Sequence, residues 1–185
     1  MDSSGDTPSH WLRRLLLALI ERFPRLVFNL YPPYWGTGIW VREISPDGRS
    51  IRVEMPLRFY NLNYYGTHFG GSLYAMCDPF LVWMADRNVG PGYRVFDKGG
   101  TIRFRRPGRG RVRVHFRLTD DQLAAMRAAA DRDGKADVPL AAEIVDAAGE
   151  TVAEVEKLLQ VRRKDFVEPR PPGVPATGAG RADRR

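Results

Sequence analysis

The apolar residues of the first segment recur at helical spacing. Trp11, Leu12, Leu15, Leu16, Leu19 and Phe23 fall at three- and four-residue steps, while Arg13, Arg14, Glu21 and Arg22 lie mostly elsewhere on the wheel. That pattern predicts an amphipathic helix with Ser9 as its N-cap, ending near Pro24. From Gly38 the period becomes two. Ile39 and Val41 alternate with Trp40 and Arg42, and Ile51, Val53 and Met55 alternate with Arg52 and Glu54 across a Pro46-Asp47-Gly48 turn. This is the signature of a β-hairpin. A loop over 61–71 leads into Ser72–Ala85, which is apolar on every side and reads as a buried helix.

Strand patterning resumes at Gly100. Ile102 and Phe104 alternate with Arg103 and Arg105, a Pro107-Gly108-Arg109-Gly110 turn follows, and Val112, Val114, Phe116 and Leu118 alternate with Arg111, Arg113, His115 and Arg117. Thr119 and Gln122 are spaced as a capping box, opening a short helix that closes near Gly134. Two further strands are expected over 138–146 and 151–163. A hairpin, a buried helix, two strands, a small helix and two strands describe an α+β domain in which an antiparallel sheet curls around one long helix.

Composition narrows this picture. The 185 residues are 43% hydrophobic and 28% charged, which suits one domain with a real core. Three segments are expected: an N-terminal helix and lead-in over 1–34, the main domain over 35–164, and a tail over 165–185. From Arg162 onward the chain holds seven basic and three acidic residues among prolines and glycines. Such a stretch has too little apolar surface to offset its ordering entropy. Cys77 is the sole cysteine, and His10, His68 and His115 are far apart, so no disulfide, metal site or cofactor is expected. The apolar run Leu15–Ile20 is too short to span a bilayer and is followed by Glu21 and Arg22, so a cytoplasmic location is the default.

Candidate chemistry gathers around one helix. Asp78 is the sole carboxylate between Gly70 and Ala85, and Pro79 follows it. A carboxylate in a buried helix must be paired, neutralised or opened to a cavity. The proline removes a backbone donor, so the helix should kink there. Gly70 and Gly71 stand at the expected helix start, where free amides attract negative charge and glycine allows close approach, the shape of an oxyanion site.

These residues carry a resemblance. Asn63, Gly66, Gly70 and Gly71, with Asp78 seven positions beyond, resemble the active-site loop and helix of hotdog-fold thioesterases of the phenylacetate-pathway type. The segment Gly70–Phe80, with Asp97-Lys98 and 102–108, looks closer still to a hotdog family described as a domain of unknown function. The resemblance covers roughly 35–163. It implies a hotdog fold and an acyl-thioester hydrolase in which Asp78 is nucleophile or general base, the amides of Gly70 and Gly71 polarise the carbonyl, and Asn63 orients water or substrate. It also implies a homodimer, with a dimer of dimers left open, acting on an acyl-CoA or acyl-carrier thioester. Those thioesterases usually place histidine where this chain has Phe69; His68, one position earlier, is the candidate substitute. Phe69, Tyr74, Trp83 and Arg105 are candidate substrate contacts, with Met76 and Phe80 as further candidates for an acyl tunnel.

Two alternatives stay open. One is a non-catalytic acyl- or lipid-binding module, membrane-associated through the first helix. For the arginines of 102–118, a solvated face balanced by Glu54, Glu143, Glu154 and Glu156 stands against a site for coenzyme A phosphates or an acidic carrier. Nucleic acid is not expected, because no recognition helix or stacking platform accompanies the charge. Peripheral membrane contact is the less favoured reading of the first helix.

Overall fold

The structure, a computed structural model, describes residues 10–167. Of the tail expected over 165–185, the part from 168 onward lies outside those residues, as does the Ser9 cap. The chain runs α1 (His10–Arg22), α2 (Pro24–Leu30), α3 (Pro32–Thr37), β1 (Trp40–Ile44), β2 (Ser50–Pro56), α4 (Gly70–Ala75), α5 (Phe80–Asn88), β3 (Tyr93–Phe104), β4 (Arg111–Arg117), α6 (Asp120–Asp133), β5 (Lys135–Val145) and β6 (Thr151–Arg163). The six strands form one antiparallel sheet in the order β1-β2-β4-β5-β6-β3.

Alternation decides which face is inside. In β2 and β4 every second residue is buried, and Ile51↔Phe116, Val53↔Val114 and Met55↔Val112 are opposed pairs of the core. Leu73, Met76, Cys77, Phe80, Leu81 and Met84 of the central helical segment join the same core. Met76 and Phe80 are fully buried and pack the interior. Thr119 caps α6 in the expected reciprocal box with Gln122, and Gly134 ends it with φ 77°.

Four expectations need correction. The predicted single long helix is two, α4 and α5, separated by turn residues Met76–Pro79. Pro79 supplies no N–H, so the break falls where the sequence placed a kink. The lead-in after α1 is itself helical: Pro24 and Pro32 open α2 and α3, at a helix start where the missing amide would be unpartnered anyway. Strand β3 begins at Tyr93, seven residues before Gly100; as an edge strand it is exposed along most of its length and shows no clean alternation. The turn at 107–110 joins no hairpin, because β3 crosses to the far edge and pairs with β6 while β4 lies between β2 and β5.

The two sheet edges differ. On β1, Asn29 of α2 donates to the carbonyl of Val41 and accepts from its amide, both within 3.0 Å, so a side chain caps the outer edge at that residue. The opposite edge is the twelve-residue β3, paired on one side alone.

Candidate active site

Asp78 sits in the turn between α4 and α5 with its side chain 53% exposed. The expected buried carboxylate is therefore at the surface of a pocket, and the buried member of the pair is a lysine. Lys157 Nζ donates to Asp78 Oδ1 at 2.9 Å, to Tyr74 Oη at 3.2 Å, and pairs with Asp97 Oδ2 at 2.5 Å. Its side chain is 1% exposed.

Strand period explains how a lysine arrives there. Along β6, Val155, Lys157, Leu159 and Val161 occupy the inward face, and all four are buried. A core position is thus filled by an ammonium, which costs several kcal/mol unless paired. Two features of β3 supply the pairing. Register shifts between Asp97 and Gly99, a bulge of the kind that re-aims a side chain. Gly100 lies opposite Lys157, where a Cβ would stand 2.5 Å from Tyr74 Oη and 2.8 Å from Lys157 Cδ. Burial alone would push the Lys157 ammonium down; the hydrogen bonds to Asp97, Asp78 and Tyr74 outweigh it and hold the group above its ordinary value. Sequence reading missed Lys157, although period two places it on the face of Val155 and Leu159.

The glycine pair opens α4. Its first two amides, those of Gly70 and Gly71, donate no hydrogen bond among the described residues. Aromatic rings lie against both: a Cβ at Gly71 would be 2.5 Å from the Phe69 ring, and one at Gly70 2.8 Å from that of Phe104. Phe69 is half exposed and shields the glycine backbone.

Asn63 is committed to its own loop. Its Nδ2 donates to Thr67 Oγ1 and to the His68 carbonyl, and its Oδ1 accepts from the amides of Tyr65 and Thr67. Nearby Asn61, unremarked in the sequence, is buried and joins the ends of α3 and β2 by donating to the carbonyls of Thr37 and Pro56. His68 is 2% exposed; its Nε2 is 3.0 Å from the Gly110 carbonyl and its Nδ1 has no partner among the described residues.

Two cavities divide these residues. Asp78, Gly71 and Tyr74 line one, together with Phe28 and Tyr34. His68, Asn63, Gly70 and Arg105 line another. Within one chain the structure therefore does not bring His68 beside Asp78. Trp83 lines neither; it packs edge-on against Phe28 at 5.7 Å and under the β1–β2 turn. Arg105 forms a bidentate pair with Glu154. Arg42 and Arg111 share Glu54, so part of the basic face is balanced across strands.

Burial, partly offset by the Gly110 carbonyl, lowers the His68 pKa from its ordinary 6.5. The sign of its effect on stability follows. A histidine whose pKa is lowered by folding binds fewer protons folded than unfolded as pH falls, so its effect on stability turns unfavourable below about pH 6.5. The fall in unfolding free energy between pH 7.5 and 5.0 is expected to shrink in His68→Gln, whose amide can still donate to Gly110. Urea titrations at both pH values read this, and an unchanged slope would show that His68 protonates freely.

An antiparallel sheet in the order 1-2-4-5-6-3 packed on a central helical segment is the hotdog fold, and solved structures agree. A Pseudomonas aeruginosa protein of unknown function, described as a probable thioesterase, is 26% identical to this chain, with 82% of this chain and 95% of that one covered at a TM-score of 0.62. The Escherichia coli PaaI protein from the phenylacetic acid degradation operon is 16% identical, covering 80% and 95% at 0.53. A Haemophilus influenzae thioesterase is 12% identical, covering 74% and 86% at 0.52. The last two show likeness of fold alone. The chain belongs to the family described as "Domain of unknown function (DUF4442)", whose profile matches residues 20–161. No curated protein matches it. Among the described residues, no helix is long and apolar enough to cross a membrane, and no cluster of histidine, cysteine and acidic side chains could hold a metal.

Proposed function

We propose that this chain hydrolyses acyl thioesters, with acyl-CoA as the substrate form, and that Asp78 is its catalytic carboxylate. One observation carries the reading: Asp78 opens into a largely apolar pocket beside Gly71 while Lys157 anchors its Oδ1 from the core. Asp78 Oδ2 makes no hydrogen bond among the described residues, which leaves it facing incoming water. In the proposed step Oδ2 takes a proton from water as the oxygen attacks the thioester carbon. The carbonyl electron pair moves onto oxygen, where the Gly71 amide, and the Gly70 amide with it, stabilise the charge. Collapse breaks the C–S bond, and the proton held by Asp78 goes to the leaving sulfur. The products are a carboxylic acid and the free thiol.

Lys157 positions Asp78 by holding its Oδ1. It acts through the carboxylate, since its own ammonium is sealed beneath Tyr74. Asn63 holds the loop that presents Gly70, which supports a shaping role for it. A rival reading, acyl binding without turnover, draws on the separation of His68 from the Asp78 pocket. Thiol release from an acyl-CoA panel decides between them: turnover abolished in Asp78→Asn supports hydrolysis, and tight binding without thiol release supports the rival.

The working unit in this proposal is a homodimer. A long, one-sided edge strand is a template for further pairing, and β3 runs twelve residues with β6 as its partner strand, its outer side met near its start by Asp86, which accepts from the Val95 amide. A second copy pairing β3 to β3 would complete the sheet and bring partner loops near each Asp78. Light scattering at micromolar concentration is expected to give twice the chain mass of 21.0 kDa. A stable monomer would refute the assembly.

A further inference from the structure

The cavity above Asp78 has a volume of about 530 Å³, within the range of about 300–1,000 Å³ typical of small-molecule sites. Its floor is α4 and the turn after it, through Gly71, Ala75 and Asp78. Its walls come from the three N-terminal helices, through Ile20 of α1, Val27 and Phe28 of α2, and Tyr34 of α3. Asp78 is the one charged residue among those that line it.

Helix α2 has no buried residue, and Val27 does not pack on the core as Phe28 does. The N-terminal helices therefore enclose apolar space instead of filling it. Unfilled apolar volume forfeits dispersion contacts, so an apolar occupant is favoured. A second observation points to a ligand. Tyr34 is in the lining and 3% exposed, and its buried hydroxyl has no hydrogen-bond partner among the described residues. A buried donor without an acceptor costs free energy until one arrives.

We propose that this chamber is the acyl-binding site, so that α1–α3 make the protein selective for thioesters of medium and long unbranched acyl chains over short ones. The proposal rests on the hydrolase reading, but chain binding is tested without turnover. The probes are S-ethyl-CoA and S-dodecyl-CoA, thioethers that no hydrolase can cleave. Calorimetry on the full chain should show affinity rising with chain length by up to about fourfold per methylene until the chamber is full, the ratio equivalent to about 0.8 kcal/mol. S-Dodecyl-CoA should then bind at least a hundredfold tighter than S-ethyl-CoA. Val27→Trp, which fills the chamber from α2, should reduce that ratio at least tenfold. If Val27→Trp fails to fold, Ala75→Phe asks the same question from α4. Equal affinity for the two thioethers, or a ratio untouched by a folded filling variant, would overturn the proposal whether or not the protein is a thioesterase. Chain-length-dependent binding with no hydrolysis of dodecanoyl-CoA would uphold the chamber and remove the enzyme.

Discussion

Asp78→Asn is expected to fold as the wild type does and to lose at least a hundredfold in kcat/KM, about 2.7 kcal/mol or more of transition-state stabilisation. The fold should survive because the amide oxygen can still accept from Lys157, and because Asp97 remains as its counter-ion at 2.5 Å. Activity should not, because an amide has nearly the same shape but cannot take a proton from water. The loss should lie mainly in kcat, since the carboxylate contributes little apolar surface to binding. Full activity in this variant would place the chemistry elsewhere.

The second large effect concerns stability and turns on which partner is buried. Asp78 and Asp97 reach solvent, at 53% and 31% exposure, whereas Lys157 does not. Removing either acid alone leaves the ammonium one counter-ion. Removing both, in Asp78→Asn with Asp97→Asn, leaves a cation uncompensated in the core, and a loss of about 3–5 kcal/mol is expected, more than the sum of the single losses. Lys157→Met should behave oppositely. It sets a flexible apolar side chain between Val155 and Leu159, lets both acids return to water, and should leave stability near that of wild type. Its activity should nonetheless fall at least tenfold, because Asp78 loses the anchor on Oδ1. Denaturant unfolding of the double variant and of Lys157→Met checks both halves. Additive losses would show that the triad is not a single electrostatic unit.

The regular core elements were legible from the sequence because they obey one period throughout. Strand β4 alternates strictly, and the Thr119 box marks the start of α6 to the residue. Strand β3 was read only from Gly100, because an exposed edge need not alternate, and its bulge at Asp97–Gly99 breaks whatever period there is. Pro24 was read as an end when it is also a beginning, and Pro32, which opens α3, was not read at all. Asp78 drew attention for a valid reason, an acid and a proline in an apolar helix, but its setting was inverted: the acid faces a pocket and the buried charge lies on β6. That pairing spans 79 residues and leaves no local trace beyond a lysine at an inward strand position. Tyr34, three residues into α3, carried no signal at all; its unpartnered hydroxyl appears only once the helices close over α4.

One measurement bears most directly on catalysis by Asp78: release of free thiol from dodecanoyl-CoA by the wild-type protein and by Asp78→Asn, assayed side by side at pH 7.5. Multiple turnovers by the wild type, with the variant at least a hundredfold slower, is the predicted result. No thiol release by a folded wild type, or equal rates for the two proteins, would contradict it.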